Sequence, residues 1–221
     1  MFVGHFGLGF GAKRITPAVS LGTLFVACQF ADLLWPTLVL LGYERVDVQP
    51  GATKVTPLDF VSYPYSHSLL ALCAWGVVLG AIYFVIRRSR FSAGVTVALL
   101  VVSHWLLDYV THRPDMPLTL SGPERLGLGL WNSIPGTLAV ELTVFTIGLT
   151  MYLRATKARD RIGSIGLWGL VAFLMVIYAG AVFGPPPPSS SAIAWSDQAM
   201  WLLIAWGYWV DKHRIPDRNR G

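Results

Sequence analysis

The segment Ser103-His104-Trp105-Leu106-Leu107-Asp108-Tyr109-Val110-Thr111-His112 spaces two imidazoles and a carboxylate at four-residue intervals. Successive helical residues turn by about 100°, so His104, Asp108 and His112 form one stripe about 80° wide. Imidazole with carboxylate suits a first-row divalent metal, and such groups are costly to expose to lipid. They close an apolar run long enough to cross a bilayer, and the reading is a protein that handles a metal at a membrane.

Composition sets the class. The chain has 221 residues, of which 54% are hydrophobic and 13% charged, and its mean hydropathy is +0.55. A soluble domain carries about 25% charged residues. Apolar segments of roughly 20 residues recur, which predicts an all-α polytopic membrane bundle in a single domain over 1–221. Six full transmembrane helices are expected over 16–42, 64–86, 91–111, 136–153, 162–183 and 193–210. A short helix over 1–12 precedes them and is too short to cross alone, which makes it a half-span or re-entrant helix. Its Gly7 and Gly11, four residues apart, permit close helix packing. No cleavable signal peptide is expected, since Lys13 and Arg14 follow the apolar stretch instead of preceding it. Cys28 and Cys73 lie in apolar runs and read as small buried hydrophobes.

The net charge of +5 comes from basic residues clustered in short loops, a signature of membrane orientation, and no nucleic-acid partner is expected. Lys13-Arg14, Arg87-Arg88-Ser89-Arg90, Arg154 to Arg161 and the tail over 211–221 fall on one side. The positive-inside rule makes that side, and the C-terminus, cytoplasmic. Loops 43–63, 112–135 and 184–192 then face the extracytoplasmic side. Every intramembrane carboxylate or imidazole falls in the outer half: Asp32, His67, His104, Asp108, His112, Glu141 and Asp197. They are expected to converge on one polar cavity open to the outside.

His5, Asp32, His67, His104 and Asp108, with His112 beside them, would hold a divalent metal. Zn²⁺ is the first choice; Mn²⁺ and Fe²⁺ also suit the ligands. Each residue has a plainer alternative. His104 with Asp108 could be a hydrogen-bonded pair holding a bundle together, His5 an interfacial histidine, and His67 part of a helix cap in Pro64-Tyr65-Ser66-His67-Ser68. Arg113 suits a phosphate or a carboxylate, or is a snorkelling interface arginine. Asp115 could orient His112 or serve as a turn aspartate. Glu141 is a candidate general base or third carboxylate ligand, or an interhelical hydrogen-bond acceptor.

These residues resemble the membrane-bound metal-dependent hydrolases of the bacterial inner membrane, some of them LexA-regulated. That family is thought to be distantly related to zinc-dependent phospholipase C. The resemblance rests on His5, Asp32, the Pro64 to Ser68 segment and His104-x-x-x-Asp108, and covers roughly the first half of the chain. Gly127-Leu128-Gly129-Leu130-Trp131-Asn132-Ser133 also looks like segments of uncharacterised members. Where members have Pro-Asp-x-Asp, this chain has Gln29-Phe30-Ala31-Asp32, one carboxylate fewer.

The expected function is hydrolysis of a phosphoester, such as a lipid head group, by a metal-activated water. Arg113 would bind the phosphate, and Glu141 or Asp115 would shuttle protons. Two other classes stay open: a metal-ion or proton transporter or channel, and a non-catalytic membrane scaffold. The absence of Asp, Glu and His from the inner half of the spans speaks against a pathway. Oligomeric state is not specified by the sequence.

Overall fold

The computed structural model describes residues 1–88 and 90–217, so Ser89 and the last four residues of the basic tail lie outside the described residues. In chain order the elements are α1 (Val3–Ile15), α2 (Leu21–Cys28), α3 (Phe30–Leu40), β1 (Arg45–Val48), β2 (Leu58–Ser62), α4 (Pro64–His67), α5 (Leu69–Arg87), α6 (Phe91–Thr111), β3 (Met116–Pro117), β4 (Arg125–Leu126), a 3-10 turn (Leu130–Asn132), α7 (Ile134–Ala155), β5 (Thr156–Ala158), α8 (Arg161–Phe183), α9 (Ser190–Asp197), α10 (Met200–Lys212) and β6 (Arg214–Pro216).

The chain is mostly helical, and α5, α6, α7 and α8 are long and apolar enough to cross a bilayer. Their flanks carry exposed apolar side chains such as Val77, Val85 and Ile86 on α5. Water would penalise such a surface, whereas lipid suits it. The expectation of six straight spans is corrected in two places. The first, over 16–42, is broken at Gln29 into α2 and α3, which bend by 57° and make a fifth crossing only if taken together. The last, over 193–210, is divided into α9 and α10, of 8 and 13 residues. Among the described residues there are also three two-stranded antiparallel pairs that an all-α reading misses.

Helix α1 occupies the centre. Its 13 residues span about 20 Å at 1.5 Å each, and all but three of them are buried. It packs most extensively on α7, with Gly7 against the backbone of Phe145 and Gly148. Glycines let the two backbones approach where any side chain would hold them apart. Phe6 and Phe10 of α1 then meet Phe25 of α2 edge to face, at centroid distances of 5.0 Å each, and Phe10 meets Tyr152 of α7 at 5.2 Å. Such pairs contribute about 0.5–1.5 kcal/mol each beyond their buried area. This aromatic stack fixes how far α1 extends, and hence where His5 sits.

The two ends of the bundle differ. At the basic end, β5 pairs with β6 and Arg214 donates to the Thr156 and Gly163 carbonyls. Lys13, buried in the last turn of α1, is neutralised by Asp211 of α10 at 2.7 Å. At the other end the β1–β2 hairpin folds over the helix ends, anchored where the Lys54 and Val55 amides both donate to the Trp131 carbonyl.

Candidate metal centre

Five side chains from four separate elements meet beneath the hairpin: His5 (α1), Asp32 (α3), His67 (α4), and His104 and Asp108 (α6). The ligand atoms of His5, His104 and Asp108 lie within 4.8 Å of one another, as do those of Asp32, His67 and His104. Asp108 is the hub. Its Oδ1 is 3.1 Å from His5 Nε2, and its Oδ2 is 3.1 Å from His104 Nε2 and 3.9 Å from His67 Nε2. Asp32 Oδ1 stands 3.4 Å from His67 Nε2 and 3.6 Å from His104 Nε2. The backbone nitrogen of Met1 also donates to Asp108.

These spacings bear on metal fit. Ligands 2.0–2.1 Å from a tetrahedral zinc stand roughly 3.4 Å from each other, and the four distances linking His67 and His104 to Asp32 and Asp108 bracket that value. His104 Nε2 is fully buried and close to Asp108, yet it has no hydrogen-bond partner. A buried ring nitrogen without a partner is costly unless something else takes its lone pair. His5 and His104 stack in parallel, 3.7 Å apart, which rules out a simple edge-on pair between them.

The outward-facing nitrogens show how the rings are held. His104 Nδ1 lies 2.8 Å from the Cys28 carbonyl. That carbonyl is free because the helix breaks at Gln29, so the bend between α2 and α3 provides an orienting partner as well as placing Asp32. His67 Nδ1 lies 2.7 Å from Ser66 Oγ, and His112 Nδ1 lies 2.9 Å from Asp115 Oδ1. A ring nitrogen fixed from outside aims the other inward, the usual arrangement behind metal-bound histidines. His5 is the exception, since its buried Nδ1 has no partner.

The other expected site residues sort by what they touch. His112, at the C-terminal cap of α6, points Nε2 toward Asp108 at 4.0 Å, outside both ligand groups, and is flanked by Trp131 and Phe60 at centroid distances of 4.2 and 4.9 Å. Asp115 holds His112 Nδ1 and also accepts from Tyr63 Oη at 2.9 Å. Arg113 is engaged by Asp59 of the hairpin and by Asp115, so its charge is already balanced. Glu141 Oε2 accepts from the amides of Phe2 and Gly4, at 2.8 and 3.3 Å. It therefore caps α1, whose first amides have no partner within the helix. Asp197 is the last residue of α9. A cavity of about 160 Å³ adjoins the cluster, lined on its polar side by Asp32, His67, Asp108, His112 and Glu141 and elsewhere by side chains including Phe60, Trp131 and Val182. Among the described residues, neither Arg nor Lys lines it.

No family model, curated protein or solved structure matches this chain. The centre stands on its own geometry. Sequence reasoning missed Glu44, the Cys28 carbonyl, Asp59 and Tyr63. Of these, Glu44 left a signal: an acidic residue just past an apolar span, on the side where the histidines gather.

The capping contact of Glu141 gives a direct expectation. Glu141→Gln keeps an oxygen for the Phe2 and Gly4 amides and should preserve fold and metal content. Glu141→Leu leaves two donors unpaired, one buried and one half-buried, and should destabilise by about 1–3 kcal/mol, read as a lower thermal midpoint in detergent.

Proposed function

We propose that this chain is a membrane-embedded metal-dependent hydrolase that acts on a phosphoester, with a lipid head group as the natural substrate. The observation that carries the reading is the convergence of His5, Asp32, His67, His104 and Asp108 from four elements, three of their imidazoles aiming Nε2 at two shared carboxylates. Asp32, His67, His104 and Asp108 would hold the ion, with His5 on the second oxygen of Asp108 and His112 at the margin. Zinc suits this donor set best; manganese and iron also suit it. When bound, such an ion polarises a phosphoryl oxygen and brings the pKa of a water toward about 7.

The protein's own groups then divide the remaining work. Glu141 lines the cavity and keeps Oε1 clear of the α1 amides, so it is the carboxylate placed to accept a proton. Asp115 orients His112 from behind. Because Arg113 is balanced by Asp59 and Asp115, a phosphate's charge would be met by the ion and not by this arginine. Tyr178, Ala181 and Val182 of α8 form one wall of the cavity. That wall lies at the end of a membrane-length helix, and an amphiphile could lay its tail along it while its head group reaches the carboxylates. The likeness to inner-membrane hydrolases fits the same picture: basic end cytoplasmic, cavity facing out, and the bent α2–α3 pair adding a fifth crossing to the four long helices.

The test is turnover of phospholipid vesicles and soluble phosphodiesters by the detergent-purified protein. Cleavage is expected to stop on chelation, to return with zinc or manganese, and to be absent in Asp32→Ala. Cleavage that survives both chelation and Asp32→Ala would contradict the proposal.

A further inference from the structure

We propose that Glu44 is a positioning residue that decides which ring nitrogen of His67 carries the proton, and so makes Nε2 available as a metal ligand; this rests on the metal-centre reading above. Glu44 follows α3, more than twenty residues before His67, yet its side chain is buried beside it. One oxygen, Oε1, accepts the amides of Tyr65 and Ser66, both at 2.8 Å. The other, Oε2, accepts the Ser66 hydroxyl at 2.6 Å. Ser66 Oγ is in turn 2.7 Å from His67 Nδ1.

The direction of every proton in this chain follows from Glu44. An ionised carboxylate only accepts, so the single Ser66 hydroxyl proton points at Oε2. Ser66 Oγ can then only accept from its other neighbour, which places the imidazole proton on Nδ1. The lone pair is left on Nε2, facing Asp32 and Asp108. The nearer of those carboxylate oxygens is 3.4 Å away, so the shorter contact with Ser66 governs the tautomer.

Glutamine at position 44 would reverse the chain while keeping its shape. The two backbone amides require an oxygen at the Oε1 position, which forces the new NH₂ group against Ser66 Oγ. Ser66 must accept from that NH₂, and its own proton turns to His67 Nδ1. The imidazole proton moves to Nε2, and the ligand is lost. Ser66→Ala, by contrast, breaks the link without imposing either tautomer.

The experiment is zinc titration of the full-length protein in detergent, comparing wild type, Glu44→Gln, Ser66→Ala and the double variant. Partners behind metal-bound histidines are worth about 10–100-fold in affinity, and Glu44→Gln is expected to lose that much. Ser66→Ala should lose less, and the double variant should recover to the Ser66→Ala level, because the reversed link is gone. A purely structural role for Glu44 predicts the opposite, a double variant at least as weak as Glu44→Gln, and that result would overturn the proposal. Nitrogen-15 spectra of the metal-free wild type give a reading independent of any variant's folding. An Nδ1–H imidazole at His67 is expected, and an Nε2–H imidazole would overturn the proposal. Failure of zinc to bind wild type at all would defeat the metal reading, while the spectra would still judge the tautomer.

Discussion

Asp108→Asn is expected to empty the centre. Asp108 lies within 4.0 Å of the Nε2 atoms of His5, His67, His104 and His112, and it is buried. Asparagine keeps the volume but offers one neutral oxygen in place of two charged ones, and its NH₂ would point a donor at ring nitrogens that need to be ligands. Losing an orienting partner behind a ligand costs about 10–100-fold in affinity, and removing the shared ligand should cost more. Zinc titration should therefore find Asp108→Asn weakened by more than about 100-fold. Asp108→Ala adds a stability penalty, since removing one member of a buried charged group costs about 3–5 kcal/mol. Thermal unfolding in detergent separates the two: Asp108→Asn should fold with little metal, whereas Asp108→Ala should also melt early.

The second large effect lies in the helix crossing that places His5. A Cβ added at Gly148 of α7 would stand 1.8 Å from the Gly7 carbonyl oxygen and 2.9 Å from its Cα. Those atoms are backbone, so no rotamer can relieve the overlap, and α1 would have to move off α7. Overpacking costs typically about 1–3 kcal/mol, and Gly148→Ala should fall at or above the top of that range. Because α1 carries His5, the same substitution should weaken zinc binding although it touches no ligand. Gly11→Ala is the matched control. Its Cβ would meet Gly148 Cα and Met151 Sδ at 3.5 Å, an ordinary contact, and helical alanine gains about 0.5–1 kcal/mol over glycine. Thermal midpoints should separate Gly148→Ala sharply from Gly11→Ala; equal midpoints would mean that the α1–α7 crossing can take a methyl group at position 148.

What the sequence could convey follows from which forces act locally. Hydropathy over a long window located α6 over 91–111 as observed, and α7 and α8 to within two residues at each end. It placed the next start at residue 64, because apolar content does not reveal that Ser68 caps α5 and leaves Pro64–His67 as a separate turn. Nor could it detect the break at Gln29, where a single residue changes the chain direction without changing the average polarity. Convergence of His5, Asp32, His67, His104 and Asp108 was legible because ionisable groups in apolar helices must find one another. The roles of individual side chains were not, since they depend on partners distant in sequence: Arg113 on Asp59, Glu141 on the first turn of α1, and His67 on Glu44 through Ser66. The hairpin supplying Asp59 escaped notice because its strands are short and sit among turn residues.

The central claim is that the His/Asp cluster holds a divalent ion. It is tested most directly by elemental mass spectrometry of the detergent-purified wild-type protein, as isolated and after incubation with zinc or manganese, beside His104→Ala. The account predicts at least about one equivalent of bound metal in wild type, as expected for a centre with this ligand count, and its loss in His104→Ala. Wild-type protein that stays metal-free after both incubations, or His104→Ala that holds as much metal as wild type, would contradict it.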